Sequence, residues 1–140
     1  MAARKKRVRR VTAKREPGFL GVSLHIWGRF DIESLAQRLG LEPIVNDRCG
    51  TMVGGLRLKY DYLLVGFKPS SGVDATLMDM VRRVRRVPIA IRTKFARTPG
   101  PMIEISIERA AGEQTSEFNI RPATLKSLAS LGLALAIGVY

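Results

Sequence analysis

The most constraining feature of this chain is the segment 20–43, where a strand-like apolar pattern is followed directly by a helical one. Apolar residues occupy every second position from Val22 to Ile26, which is the period of a strand with one buried face. Asp31 then stands where a helix N-cap belongs, because its carboxylate can accept the unpaired N–H groups of the first turn. Gly40 is typical of a helix C-terminus. The segment therefore predicts a strand and a helix that share one apolar core.

The remaining apolar segments predict a single α+β domain, residues 19–140. Further strands are indicated at 59–67, 89–95, 103–108, 115–120 and 133–140, and further helices at 71–87 and 122–132. The order β-α-β-α-β-β-β-α-β favours a mixed, mostly antiparallel sheet with three helices packed on one face. The glycine-rich stretch 44–58 predicts a loop with a short extended piece, in which Met52 and Val53 can pair locally. The stretch 59–67 is apolar on both sides from Tyr62 onward and predicts a strand covered on both faces. Ser71 and Asp74 have the spacing of a capping box.

Positive charge is concentrated at the N-terminus of the chain. There are 24 Lys and Arg residues against 12 Asp and Glu, a net charge of +12, and the first 17 residues hold eight of these bases with one acid. Too little apolar surface accompanies the charges to offset the entropy of ordering them, so we predict that residues 1–18 form a disordered basic arm. The bases of the basic arm are Arg4, Lys5, Lys6, Arg7, Arg9, Arg10, Lys14 and Arg15.

The basic arm is compatible with several kinds of anionic partner. Lys and Arg side chains bind the phosphates of RNA or DNA with release of counterions, and they also bind acidic protein surfaces and anionic membranes. The arm contains no aromatic residue for base stacking and no large apolar helical face, which disfavours sequence-specific readout and membrane insertion. A purely solubilising role, or a misassigned start codon, is compatible with the same pattern.

A second basic stretch covers residues 82–97, and no acid occurs between Asp79 and Glu104. Its bases are Arg82, Arg83, Arg85, Arg86, Arg92, Lys94 and Arg97. Like charges four residues apart on a helix repel one another by roughly 0.2–0.5 kcal/mol per pair. A negative charge placed near this stretch would reduce the repulsion, and an anionic ligand is one source of such a charge.

Internal neutralisation is the alternative interpretation of this second stretch. Arg83 lies four residues after Asp79, so the two side chains can pair along one helix face. Arg92 or Lys94 would then pair across strands with Glu104 or Glu108. Under this interpretation the stretch is a solvated basic face with no ligand.

The chain contains no residue pattern for enzyme or metal chemistry. His25 is the only histidine and Cys49 the only cysteine, which excludes a multi-histidine or multi-cysteine metal site and an internal disulfide. His25 shares a strand face with Ser23 and Trp27, so we expect a sheet residue and not a general base. Glycines within 50–55 lack the Gly-Lys-Ser/Thr ending of a phosphate loop, and no apolar run reaches the ~20 residues of a membrane span. We expect no catalytic residue, cofactor or metal, and a reducing compartment such as the bacterial cytoplasm.

Three pieces of the chain, read together, carry a family resemblance. They are the strand–Asp–helix segment ending in Leu-Gly-Leu-Glu-Pro at 21–43, the strand and amphipathic helix at 59–87, and the terminal helix and strand at 120–140. In order and spacing they resemble the mainly bacterial family catalogued as domain of unknown function 4279. The likeness leaves out the basic arm, and Gly138 departs from it where an acidic residue is expected. The resemblance implies a fold and no activity, because the family brings no established catalytic residues.

These observations predict a non-enzymatic binding module that contacts a polyanion, RNA or DNA, through the basic arm and the stretch 82–97. The alternative is a protein-interaction module, for example an immunity-type partner of an acidic effector protein, a role that small α+β domains of bacteria often have. The sequence specifies no oligomeric state.

Overall fold

The structure, a computed structural model, describes residues 18–67, 72–109 and 118–140. It contains a five-stranded sheet with helices packed against one face. The strands are β1 (Phe19–Gly28), β2 (Pro43–Asp47), β3 (Met52–Val53), β4 (Leu56–Arg57), β5 (Asp61–Phe67), β6 (Met102–Ile107) and β7 (Ala134–Val139). The helices are α1 (Ile32–Leu39), α2 (Val73–Arg86), α3 (Ile89–Arg92) and α4 (Pro122–Ser130).

Strand β1 lies in the middle of the sheet, whose order is β2-β5-β1-β6-β7. It pairs antiparallel with both β5 and β6, and β2 pairs antiparallel with β5. Strands β6 and β7 are parallel, so their connection must cross over the sheet, and α4 lies within that connection. Strands β3 and β4 form a separate hairpin. The class predicted from the sequence, a single α+β domain with a mixed, mostly antiparallel sheet, is confirmed.

The core lies between the sheet and the helices. Alternation along β1 directs Val22, Leu24 and Ile26 into it, as predicted, and each is at most 2% exposed. The largest fully buried partners are Ile32, Leu35, Leu39, Leu63, Leu77, Met80, Ile103 and Ile105. Full burial of one such side chain contributes about 1.5–3 kcal/mol. The opposite side of the sheet, which carries His25 and Trp27, is called the outer face below.

Both predicted ends of α1 are confirmed. The Asp31 carboxylate accepts a hydrogen bond from Ser34 N at 3.1 Å, and this bond lowers the pKa of Asp31 below its ordinary value. Gly40 ends the helix with a φ of 71°, a left-handed conformation that glycine adopts without steric cost. Its N–H caps the last turn through the carbonyls of Ala36 and Gln37.

The start of α2 differs from the prediction. Gly72 is the N-cap residue and makes no side-chain capping bond, and Ser71 of the predicted capping box lies outside the described residues. The carboxylate of Asp74 accepts hydrogen bonds from Arg121 N at 2.8 Å and from Arg121 Nε at 2.7 Å. Asp74 therefore joins the first turn of α2 to the residue that precedes α4.

The strand predicted at 89–95 is wrong. Residues 89–92 form the short helix α3, whose first turn is closed by the Pro88 carbonyl, which accepts hydrogen bonds from Ile91 N and Arg92 N. The apolar alternation at these positions is compatible with either structure, and the geometry set by proline selects the helical turn.

Three further predictions need correction. In the stretch 44–58, the predicted local pairing of Met52 and Val53 is confirmed, since they form β3 and pair with β4, but the edge strand β2 occupies part of the predicted loop. Strand β5, predicted to be covered on both faces, packs only one face on the core. Leu63 and Val65 are fully buried, whereas Tyr62 and Leu64 lie on the outer face and are partly exposed. Residues 118–120 are not in a strand, and the rest of the strand predicted at 115–120 lies outside the described residues, as does the basic arm up to Pro17.

We expect Asp74→Asn to lower the free energy of unfolding near neutral pH by about 1–2 kcal/mol, because a charged hydrogen-bond acceptor is lost. Burial works against ionisation of Asp74, but the hydrogen bonds from Arg121 outweigh it and hold the pKa of the carboxyl below its ordinary value. A depressed folded pKa stabilises the protein above the unfolded pKa, and that contribution disappears as the pH falls through the folded value. Urea unfolding should therefore give a difference that shrinks in acid.

Glu42→Gln is the matched control for this measurement. Glu42 is exposed, so the substitution removes one negative charge without breaking a buried contact, and it should change stability by less than about 0.5 kcal/mol. An Asp74→Asn protein as stable as the wild type at neutral pH would contradict the assigned role.

Candidate nucleic-acid interface

Two of the seven basic residues between 82 and 97 that were predicted to bind a polyanion form hydrogen bonds with backbone carbonyls of the protein. Arg83 Nη1 donates to the carbonyl of Leu39 at 2.7 Å, and its guanidinium lies 4.8 Å from the centre of the Phe67 ring. Arg92 Nε donates to the carbonyl of Val87 at 3.1 Å. These contacts cap helix ends; Arg83 donates through both Nε and Nη1, whereas the Arg92 contact uses Nε.

Three other arginines form one exposed face of α2, called the arginine face: Arg82, Arg85 and Arg86. Their spacing of three and four residues places them on one side of the helix. Asp79 lies 3.8 Å from Arg82 and 3.3 Å from Arg83, as the internal pairing alternative predicted for Arg83. Within residues 18–67, 72–109 and 118–140, no other acid forms a salt bridge with the stretch 82–97.

The cross-strand pairing predicted for Arg92 or Lys94 is wrong. It required a strand at 89–95 beside β6, and that segment is helical instead. Glu104, on β6, accepts a hydrogen bond from the hydroxyl of Tyr140 at 2.6 Å, and this contact raises the pKa of Tyr140. Within the described residues, neither Glu104 nor Glu108 forms a salt bridge with Arg92 or Lys94.

The segment that carries Lys94 and Arg97 is attached to the end of β1. Phe95 forms an isolated bridge with Gly28, Arg29 N donates to the carbonyl of Lys94 at 3.1 Å, and Ala96 N donates to the carbonyl of Trp27 at 2.7 Å. The guanidinium of Arg29 also reaches the carbonyl of Lys59, at 3.5 Å. Three exposed bases, Arg29, Lys59 and Lys94, thus gather at one end of the sheet and are called the basic rim.

Beside the basic rim, three rings form an aromatic cluster on the outer face: His25, Trp27 and Tyr62. Trp27 and Tyr62 are cross-strand partners, with ring centres 5.0 Å apart and planes inclined by 21°. His25 stacks 5.9 Å from Trp27, and its Nδ1 lies 2.7 Å from the Tyr62 hydroxyl. All three side chains are half-buried, so part of their surface faces solvent.

Burial, together with nearby carboxylates, shifts the pKa of two members of the aromatic cluster. Burial lowers the pKa of His25, an effect that the carboxylate of Glu104 partly offsets, so His25 is neutral near pH 7. Burial also raises the pKa of Tyr62, and the carboxylates of Asp47 and Glu104 add to the shift. The outer face therefore presents neutral rings, with Glu104 on the side away from the basic rim and Asp47 beside Tyr62 in the row of Trp27.

The remaining candidates for chemistry serve local structure in the described part of the chain. The carboxylate of Asp61 accepts hydrogen bonds from Phe30 N at 3.1 Å and from Cys49 N at 2.8 Å. Cys49 itself is exposed, with its thiol 3.3 Å from the carbonyl of Lys59. Among the described residues, no group of three or more His, Cys, Asp or Glu side chains is placed to hold a metal ion, and no helix is long and apolar enough to cross a membrane.

Sequence reasoning missed the aromatic cluster as a unit. The alternation along β1 placed His25 and Trp27 on one strand face, but Tyr62 joins them only through the register between β1 and β5. Arg29 and Lys59 were also missed, because the link between β1 and the segment 93–97 is a long-range contact. The bases of the basic arm lie outside the described residues and stay a prediction.

Neither a family model nor a curated protein sequence nor a solved structure matches this chain. The resemblance to domain of unknown function 4279 therefore stays a prediction.

We expect Gly28→Ala to destabilise the protein by about 1–3 kcal/mol, the usual cost of overpacking. A Cβ at position 28 would overlap the carbonyl oxygen of Lys94 and lie 2.9 Å from Cα of Phe95, and backbone atoms cannot move aside cheaply. Gly66→Ala is the matched control, because its Cβ would meet only the flexible end of Ile44 at 2.7 Å. Urea unfolding of both variants should show a clearly larger loss for Gly28→Ala, and equal losses would contradict the close approach.

Proposed function

We propose that the protein is a non-enzymatic nucleic-acid-binding module that contacts phosphates through the arginine face, with the basic arm as a second contact. The observation that carries the proposal is the exposure of Arg82, Arg85 and Arg86 on one side of α2, where Asp79 is the single acid that pairs with the stretch 82–97 in the described part of the chain. A surface of this kind attracts a polyanion before any specific contact forms.

The geometry of the arginine face suits phosphates. Positions 82 and 86 are one helical turn apart, about 6 Å along the axis, so their guanidinium groups can reach neighbouring phosphates of one strand. Each guanidinium can donate two parallel hydrogen bonds to phosphate oxygens. The mutual repulsion of these arginines also falls when an anion binds between them, because its charge offsets theirs.

Salt dependence of binding is the test that isolates phosphate contacts. The full chain is titrated against a mixed-sequence DNA duplex and a single strand at rising salt, beginning at ~50 mM. We expect the triple variant Arg82→Gln, Arg85→Gln, Arg86→Gln to lower duplex affinity at least tenfold. Each lost phosphate contact removes about one unit from the slope of log K against log salt, so the slope should fall by about three.

A second triple variant controls for the loss of net charge. Arg48, Arg57 and Arg109 are exposed bases outside the arginine face and the basic rim, and their replacement by Gln removes the same charge. The control should keep most of the slope. Equal effects of both triples would reduce the proposal to non-specific attraction, and a full chain without affinity at ~50 mM salt would overturn it.

Removal of residues 1–17 tests the second contact in the same assay. The deletion takes away eight bases and one acid, so a further drop in salt slope is expected. An unchanged slope would exclude the basic arm from the contact. Stable co-purification with one acidic protein after nuclease treatment would instead favour the protein-interaction alternative.

A further inference from the structure

We infer that the outer face of the sheet binds unpaired bases of a single-stranded nucleic acid on the aromatic cluster, with the strand's phosphates along the basic rim. This inference rests on the proposed function and specifies its ligand. The proposed stacking site was not indicated by composition or by runs of charge in the sequence. Its aromatic rings and its basic residues come from separate parts of the chain.

The first support is the placement of the rings. Trp27 and Tyr62 are 5.0 Å apart with nearly parallel planes, and His25 completes the cluster within 6.0 Å of both. The half-buried rings present part of their surface to solvent on a rigid sheet, and an aromatic surface can stack with any base. Each is on a strand that is paired on both sides, so the rings are positioned before a ligand arrives.

The second support is the charge beside the rings. Arg29 follows Trp27 by two residues, and its backbone and side chain contact the residues Lys94 and Lys59. The hydrogen bond from Ala96 N to Trp27 O brings the whole 94–97 segment to this end of the sheet. A base stacked on Trp27 would therefore have its phosphates next to three exposed cations.

The third support is the position of the acids. Asp47 is the cross-strand partner of Tyr62 on the β2 side, and Glu104 lies opposite Ser23 on the β6 side. Glu104 lies beyond His25 from Trp27 and repels phosphate toward the basic rim, whereas Asp47 lies in the same row of the sheet as Tyr62 and Trp27, and Asp61 lies next to Arg29 at the rim. Glu104 can also accept a hydrogen bond from an amino group on a nucleobase, whereas a phosphate has no such donor.

A duplex does not satisfy this arrangement. Its bases are stacked inside the helix, so their π faces cannot reach side chains on a sheet, whereas the bases of a single strand are free to do so. The arginine face, by contrast, contacts phosphates of either form. The two surfaces therefore differ in the nucleic acid that they bind: the aromatic cluster takes a single strand, and the arginine face takes either form.

Fluorescence of Trp27 tests the inference directly, because the chain contains one tryptophan. The probes are a short oligothymidylate single strand and a duplex of mixed sequence, each added to the full chain at low salt. Stacking of a base on the indole is expected to quench its emission with the single strand, and the duplex should bind with little change in emission. Equal emission changes with both probes would overturn the inference.

Substitution of Trp27 provides the second measurement. Trp27→Leu removes the ring while keeping apolar volume, and we expect single-strand affinity to fall about five- to 100-fold with duplex affinity unchanged. Trp27→Phe retains a ring and should recover most of the affinity. Thermal unfolding of each variant establishes that the protein is folded, and Tyr62→Phe serves as a further folded variant that keeps the second ring.

The two proposals fail in different ways. Binding of both probes that depends on the arginine face but is unaffected by Trp27→Leu would overturn the stacking site and leave the proposed function standing. Absence of binding to either probe by the wild type would overturn the proposed function and this inference together. A loss of duplex affinity in Trp27→Leu equal to the single-strand loss would also overturn the stacking site.

Discussion

The position of β1 in the middle of the sheet determines most of this structure. The strand is hydrogen-bonded to β5 on one side and β6 on the other, so its register is held by two partners at once. A shift by one residue would move Leu24 and Ile26 from the core to the outer face and bury His25 and Trp27 in their place. The burial of those apolar side chains therefore also fixes where the aromatic rings stand, although the rings contribute nothing to the core.

The end of the same strand connects the two basic surfaces. Gly28 has no side chain, which lets the backbone of the segment 94–96 approach closely and pair with the strand. That segment continues from α2 through α3, so the arginine face and Lys94 of the basic rim belong to one continuous stretch of chain, whereas Arg29 and Lys59 come from other parts of the sequence. The hydrogen bonds that flank Gly28 therefore hold Lys94 near Arg29, at the end of the segment that carries the arginine face.

How far the sequence could predict this arrangement depends on the range of each signal. The segment 20–43 was predictable because its alternation, its N-cap Asp31 and its terminal Gly40 all act within a few residues. The segment 89–95 was not, since the same alternation fits a strand, and Pro88 together with the approach to Gly28 decides otherwise. The arginine-rich stretch was visible as a run of charge, whereas the aromatic cluster depends on a strand register between distant residues, which no local pattern reports.

The positive charge of the arginine face stays exposed because most of the aspartates discussed above stabilise local structure elsewhere. The carboxylates of Asp31, Asp61 and Asp74 accept backbone N–H groups at helix starts and in turns, and hydrogen bonds of this kind hold local structure. They lie away from the arginine face, and in the described part of the chain only Asp79 stands beside it. A carboxylate that caps a helix cannot at the same time neutralise a distant guanidinium, because the field of an exposed charge is screened within about 10 Å. The positive potential of the arginine face therefore follows from how the acids stabilise the fold, which leaves Asp79 as its one counter-charge in the described part of the chain.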